Sequence, residues 1–405
     1  MKKILFISDN FPPEVNAPAS RTFEHCKHWV NEGYEITVIT SAPNFPSGKV
    51  FSGYRNRIYS KELIDGIHVI RVWSYITANE GFIKRTLDYI SFAFSSLICS
   101  LFIKTDLIIA TSPQFFVAIS GCFSAFLKRK PWIMEVRDLW PESIAAVGAI
   151  RNKKILKILE WIELRLYRSA KHVIVVTNAF KNNICSRGIP ENKISVIKNG
   201  VDLSAFLPTP KDTKLIEELR LQQKFVVAYF GTHGLAHQLD FIIRSSIKIN
   251  DPEIHLLFIG NGAEKNKLKD LVKSLQCNNV TMLDSVPKSQ MIHYISIIDV
   301  ALVNLKKSET FKTVIPSKIF ENAAMQKPIL LGVEGESKEI IEHYQAGLCF
   351  EPESETDFLE KLYTLKNDQS LYALIQQNCL TLAHDYNREA LALQMLKILD
   401  EQSSI

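Results

Sequence analysis

The stretch Thr313–Lys327 (TVIPSKIFENAAMQK) carries the most informative pairing of charges in the chain. Pro316 suits the first turn of a helix, where its missing N–H costs nothing. A helix begun there sets Lys318 and Glu321 three apart on one face. As an exposed ion pair they would contribute about 0.2–0.5 kcal/mol. As a binding pair they would do more. Lys318 and the helix start would hold a diphosphate, and Glu321 would accept two hydroxyl hydrogen bonds from a ribose. A carboxylate suits a vicinal diol because it offers two acceptor oxygens.

Two glycine turns belong with this pair. Gly231-Thr232-His233-Gly234 follows an apolar run and precedes a helical stretch. Glycines there let backbone N–H groups point at a phosphate, which a helix dipole also favours; a plain strand-to-helix turn has the same composition. Gly260-Asn261-Gly262 closes the next apolar run and has room for a planar base or a ribose.

The first half offers different groups. Glu135-Val136-Arg137-Asp138-Leu139-Trp140-Pro141-Glu142 sets four charges at the end of an apolar run. Partly buried charges are costly unless paired, so Arg137 with Asp138 or Glu142 makes a structural pair. Alternatively Asp138 or Glu142 serves as a base or acceptor for a sugar hydroxyl. Ser8–Arg21 (SDNFPPEVNAPASR) lacks the G-x-G-x-x-G of dinucleotide-binding turns, which argues against a nicotinamide enzyme. Its small residues Ala17, Ala19 and Ser20 still permit close approach to a helix start, while the bland reading is a proline-stiffened loop with Ser20 as N-cap.

Such residues act only if strands deliver them. Apolar, β-branched runs alternate with helical stretches: Lys3–Ser8, Glu35–Thr40, Ile67–Trp73, Asp106–Thr111, Trp132–Val136, His172–Thr177 and Ile194–Ile197. Runs apolar on both faces imply a parallel sheet covered by helices. After Asn199–Asp202 and the polar linker Pro208–Asp212 the alternation restarts, with Phe225–Phe230, Ile254–Ile259, Val280–Leu283, Val300–Val303, Pro328–Leu331 and Leu348–Phe350. The reading is α/β, with two doubly wound, Rossmann-like domains facing across a cleft: residues 1–205, residues 206–385, and a final helix in 386–405 that packs back on the first domain. Ligands then bind outside the carboxyl ends of the strands.

Composition agrees with this. With 405 residues, 46% hydrophobic and 22% charged, the chain is too long for one ordinary core and too apolar for disorder. A net charge of +5 is too weak to argue nucleic-acid binding. Seven scattered cysteines without CxxC pairs argue against a zinc site or disulfide framework and for a reducing compartment. The start of the chain is too briefly apolar for a secretory signal. The expectation is a cytoplasmic protein. Uncharged Tyr89–Ile103, after Lys84-Arg85, is too short to span a bilayer. It reads as a helix packed on the sheet, or as a face within 82–103 that dips into the inner membrane's cytoplasmic surface.

At these residues the chain resembles the retaining GT-B glycosyltransferases of family 4 over nearly its full length. It is most similar to their WbuB-type branch, the L-fucosamine (N-acetyl-L-fucosamine) transferases of bacterial surface-polysaccharide assembly. The resemblance rests on NFPPEVNAPASR (10–21), EVRDLWPES (135–143), NGVD (199–202), FGTHGLAH (230–237), GNGAEK (260–265) and IPSKIFENAAMQKPI (315–329). It implies metal-independent transfer from a UDP-sugar onto a polyprenyl-diphosphate-linked saccharide in O-antigen (lipopolysaccharide) or capsule synthesis, with retained anomeric configuration and no cofactor. No Asp-x-Asp triplet is present in either half.

The resemblance also distributes roles. The donor would meet Gly231, Thr232, Gly234, His237, Gly260, Asn261, Pro316, Ser317, Lys318 and Glu321. The acceptor would meet Asn10, Pro13, Glu14, Asn16, Ala17, Arg21 and Arg137. Asp138, Glu142 and His233 are the catalytic candidates, and His233 or His237 would lie near the reacting centre. Two departures stand out. Thr313 occupies the position of the family's first glutamate, and the usual Arg and Lys after the Gly231 strand are missing. A UDP-sugar 2-epimerase of the same fold and a non-catalytic nucleotide-sugar-binding subunit are the competing readings. The first would need no acceptor; the second would bind donor without transfer.

Overall fold

The computed structural model describes residues 2–45, 47–77, 82–112, 115–142, 145, 150 and 152–403. Ser143, the last residue of the EVRDLWPES motif, lies outside them. The chain divides into two units, Met1–Asn199 with Arg388–Ile405, and Gly200–Asn387.

In the first unit the strands are β1 (Lys3–Ile7), β2 (Glu35–Ser41), β3 (Tyr59–Ile64), β4 (Ile67–Val72), β5 (Leu107–Thr111), β6 (Trp132–Val136), β7 (His172–Val175) and β8 (Ile194–Val196). They form one sheet in the order β3-β4-β2-β1-β5-β6-β7-β8. All pairs are parallel except β3 with β4. The sequence pattern does not announce β3, because this edge strand is polar and alternately exposed rather than an apolar run. The available signal is Asp65-Gly66, where both residues have positive φ (47° and 79°), the two-residue hairpin turn that a right-handed twist favours. The strand carrying Glu135 is therefore the sixth, not the fifth.

Helices α1 (Ala17–Asn31), α2 (Phe82–Leu101), α3 (Phe115–Lys128), α4 (Lys153–Ser169) and α5 (Asn178–Ser186) connect the strands. Phe92, Phe115, Val117, Leu166 and Phe180 from α2 to α5 fill the core on one face of the sheet. Cys26 and Trp29 of α1, with Met395, Leu396 and Leu399, fill the other. Those last three belong to the C-terminal helix Arg388–Ser403, which reaches α1 also through Trp29 Nε1 donating to Ala392 O (2.9 Å) and a buried Arg388–Glu24 ion pair.

The second unit repeats the plan. Strands β9 (Phe225–Phe230), β10 (Ile254–Ile259), β11 (Val280–Leu283), β12 (Val300–Asn304), β13 (Ile329–Gly332) and β14 (Gly347–Cys349) form a parallel sheet in the order β11-β10-β9-β12-β13-β14. Helices α6 (Thr213–Glu218), α7 (Leu239–Ser246), α8 (Lys265–Ser274), α9 (Lys288–Ser296), α10 (Lys318–Ala324), α11 (Glu336–Tyr344), α12 (Glu355–Asn367) and α13 (Gln369–Asp385) surround it. In each sheet the strand order reverses beside the first strand, between β1 and β5 and between β9 and β12. Loops diverge there at the carboxyl edge, which makes it the favoured ligand position in this class of fold.

Candidate active site

In the second unit, backbone contact comes first. β9 is followed directly by Gly231 and β10 by Gly260, whose φ is +152°. A Cβ on Gly260 would stand 1.7 Å from the Gly231 carbonyl oxygen, so only glycine allows these two strand ends to touch. The loops beyond are stitched by His233 N–H to Asn261 O and Glu264 N–H to His233 O, both 2.9 Å. Lys265 is buried and donates to the carbonyls of Gly260 (2.6 Å) and Leu283. Thr232 and Asn261 are exposed at the rim, and Gly234 is half-buried.

Over this floor lies Lys318. Its Cε and Nζ are each 2.6 Å from the point a Gly231 Cβ would occupy. The ammonium donates to Tyr229 Oη (2.9 Å) and sits 4.0 Å from the centroid of that ring, while Tyr229 Oη donates to Thr232 O (2.8 Å). Burial pulls the Lys318 ammonium down to about 7, against an opposing pull from Glu321. Lys318 is thus a cation with a phenol for company and the backbone of Gly231 beneath it, not half of an exposed pair.

Helix α10 begins at Lys318, two residues later than the sequence suggests. Pro316 precedes the helix and supplies its carbonyl to Ile319 N–H (3.2 Å), with Ser317 as a cap lacking a side-chain hydrogen bond. Glu321 is half-buried one turn on. Thr313 ends a short 3₁₀ turn and donates its hydroxyl to Thr310 O (2.8 Å).

Two histidines flank Tyr229, with ring centroids 6.0 Å (His233) and 5.7 Å (His237) away. His233 is fully buried and neither ring nitrogen has a partner. Burial, then Lys265 and Lys318, pull it down to about 4; burial and Lys318 pull His237 to about 3. Both are neutral imidazoles at physiological pH, each with one donor and one acceptor nitrogen. A buried polar ring left unsatisfied is costly, so His233 awaits something that can hydrogen-bond.

The first unit's candidates behave differently. Arg21 is buried, its Nε on Glu135 Oε1 (2.9 Å) and its remaining nitrogens on the carbonyls of Lys198 (2.8 Å) and Ile197 (2.9 Å). Burial pushes the Glu135 carboxyl up, but Arg21 and Arg137 outweigh it and hold it below the usual range. This pair ties α1, β6 and the chain beyond β8 together. Glu14 is likewise buried, its Oε1 accepting from the N–H groups of Asn44 and Phe45 (2.8 Å each), and burial raises its pKa. Neither side chain is presented to a ligand. The N-cap of α1 is Asn16, not Ser20: its Oδ1 accepts from Ala19 N–H (2.9 Å) and its Nδ2 donates to Asn10 Oδ1 (2.8 Å). Pro13 on this loop and Ala17, the first residue of α1, are exposed.

The Arg137 Nε and Nη1 are buried without a hydrogen-bond partner, and burial pulls its pKa to about 10. Asp138 is half-buried within electrostatic reach of Tyr167. Glu142 is exposed and accepts from Asn183 Nδ2 (3.2 Å). Tyr229, which seats Lys318, and Lys265 were missed by sequence reasoning. The signal for Tyr229 was a lone hydroxyl in an otherwise apolar strand, FVVAYF.

Residues 19–205 match the family described as Glycosyltransferase Family 4, and residues 211–379 match Glycosyl transferases group 1. The putative colanic acid biosynthesis glycosyl transferase WcaI of Escherichia coli (strain K12) is 22% identical over 367 residues, 87% of this chain and 89% of that protein. The probable glycosyltransferase WbjE of Pseudomonas aeruginosa is 24% identical over 205 residues, 50% of this chain and 51% of that protein. Among solved structures, sucrose-phosphate synthase from Thermosynechococcus elongatus has a TM-score of 0.79 at 16% identity, covering 99% of both chains. Anabaena HepE in complex with UDP-glucose has a TM-score of 0.75 at 18% identity, covering 99% of this chain and 100% of that one. Likeness at these identities speaks to the fold.

Proposed function

The chain is a glycosyltransferase of the GT-B fold, a Family 4 domain followed by a group 1 domain, and we propose that it transfers a sugar from a UDP donor during bacterial surface-polysaccharide assembly. The donor we infer is UDP-N-acetyl-L-fucosamine. The acceptor is a polyprenyl-diphosphate-linked saccharide at the cytoplasmic face of the inner membrane, in O-antigen or capsule synthesis. Transfer proceeds with retention and without a bound metal. Relatives named for colanic acid and teichuronic acid biosynthesis support the setting, and HepE, solved with UDP-glucose, supports the donor class.

One observation carries the reading: the Lys318 ammonium above the Gly231 backbone, partly desolvated and hydrogen-bonded to a neutral phenol, with Glu321 acting on it electrostatically. In transfer the bond from the anomeric carbon to the diphosphate oxygen breaks and a bond to the acceptor oxygen forms. The acceptor hydroxyl proton leaves with the diphosphate. Negative charge grows on the leaving diphosphate, and a fixed cation beside it stabilises the transition state. His233, neutral and unsatisfied, can hydrogen-bond the donor sugar. Glu321 takes the ribose hydroxyls.

The test is incubation of pure protein with UDP-N-acetyl-L-fucosamine and a lipid-linked acceptor, with the product's anomeric configuration read by NMR. Transfer with retention, unaffected by a chelator, is expected. The proposal fails if no nucleotide sugar turns over and Lys318→Ala and Glu321→Ala bind UDP like the wild type.

A further inference from the structure

Helices α2, α3 and α4 cover one face of the first unit's sheet, and α3 packs against both of the others. On an ordinary surface helix the large apolar residues point inward. Here α2 and α3 meet through small hydroxyl residues instead: Ser96 pairs with Ser120 (2.8 Å) and Ser100 with Ser124 (2.6 Å). Gly121 lets α3 press onto β5, where a Cβ would come within 2.4 Å of Ala110 Cβ.

Beyond Phe92, Phe115 and Leu166, which reach the core, many large residues are left outside. Leu87, Ile90, Phe94, Ile98 and Leu101 are exposed, and this spacing confines them to an arc of about 80° of α2. Phe123, Phe126 and Leu127 do the same on α3, and Ile155, Ile158 and Trp161 on α4. Phe94 is 64% exposed, Phe126 76% and Trp161 57%. Three adjoining helices thus present one apolar face, wider than scattered surface residues make.

Charge decides what covers it. Residues 82–106, 115–130 and 152–170 hold eleven Lys and Arg against four Asp and Glu, a net of +7, while the whole chain carries only +5. Every other part of the chain together is therefore slightly acidic. Lys84, Arg85, Lys104, Arg129, Lys130, Lys153, Lys154 and Lys157 are exposed around the apolar stripes, and Arg165 lies over the Trp161 ring at 4.9 Å. A second copy would bring like charge against like. An anionic bilayer offers the opposite charge to the rim and acyl chains to the stripes. No described helix is long and apolar enough to cross a membrane, so this face lies on the surface.

We propose that the combined outer face of α2, α3 and α4, not α2 alone, is a docking surface for anionic phospholipid bilayer. The proposal rests on the lipid-linked acceptor reading for its purpose, but its test does not depend on transfer.

The intact protein is mixed with vesicles of phosphatidylcholine, alone or with about a third phosphatidylglycerol, and sedimented. Binding to the anionic vesicles should exceed binding to the neutral ones at least ~10-fold and fall steeply at about 0.5 M salt. Phe126→Glu and Trp161→Glu, on helices other than α2, should each weaken it ~10-fold, as should Lys153→Glu with Lys154→Glu. Their UDP affinity and thermal midpoint should stay unchanged, which separates lost docking from lost folding. Equal binding to both vesicles, no binding, or variants that bind like wild type would overturn the proposal. So would a dimer in solution that Phe126→Glu dissociates, since a second copy would then own the face. Docking without sugar transfer would uphold this surface and count only against the proposed reaction.

Discussion

The two units use the same sheet plan and put charged residues at the same carboxyl edge, yet those residues have opposite fates. In the first unit two of them are consumed by the scaffold: Arg21 has Glu135 and two carbonyls, and Glu14 has two backbone N–H groups, while Arg137 keeps Nε and Nη1 without a hydrogen-bond partner. In the second, the Lys318 ammonium hydrogen-bonds one phenol and feels Glu321, and the His233 ring nitrogens have no hydrogen-bond partner among the described residues. A buried group with all its partners holds structure; a buried group kept short of partners costs stability and is ready for a ligand. The difference teaches that a charge at a strand end is a functional candidate only after its partners are counted.

This comparison can be broken in three ways. The largest effect is expected at Arg21. Arg21→Ala leaves Glu135 buried without its hydrogen-bonded cation, and the cost should be about 3–5 kcal/mol in chemical denaturation. A loss of less than about 1 kcal/mol would mean that Arg21 is not scaffold. Next, His233→Ala should lower kcat roughly 100-fold with little change in UDP affinity or thermal midpoint. A comparable loss of UDP affinity would put His233 on the nucleotide instead.

The third effect is smaller and opposite in sign to the first. The folded pKa of Lys318 lies near 7, below its unfolded value of 10.5, so folding disfavours its charged form. That penalty is present at neutral pH and eases as pH rises from about 7 toward 10.5. Lys318→Met should therefore raise the thermal midpoint at pH 7, by about 2–4 °C, while abolishing tight UDP binding. A lower midpoint would show that Lys318 is structural, as Arg21 is.

Much of the fold was legible because parallel strands buried on both faces are apolar throughout, and thirteen such runs reappear as strands. β3 escaped because an edge strand facing water has no apolar run, leaving only Asp65-Gly66 as a signal. The glycines at 231 and 260 were legible as close-approach positions, since their neighbours leave no room for a Cβ. Pairing was not. The buried bond at this sheet edge joins residues 114 apart, Arg21 and Glu135, which no local spacing announces. Likewise Lys318 found Tyr229, 89 residues away, rather than an exposed place beside Glu321. Helical and strand periods speak for neighbours along the chain, and ion pairs across a sheet edge have no such period.

The most direct test of the central claim is UDP binding by calorimetry from pH 6 to 9, in buffers of different ionisation enthalpy. If Lys318 is the diphosphate seat, binding requires its proton. Above pH 7 the affinity should then fall about tenfold per pH unit, with protons taken up from the buffer. Lys318→Arg, whose charge does not titrate in this range, should bind with affinity nearly independent of pH. A flat profile for the wild type, without proton uptake, would contradict the assignment of Lys318 to the donor diphosphate.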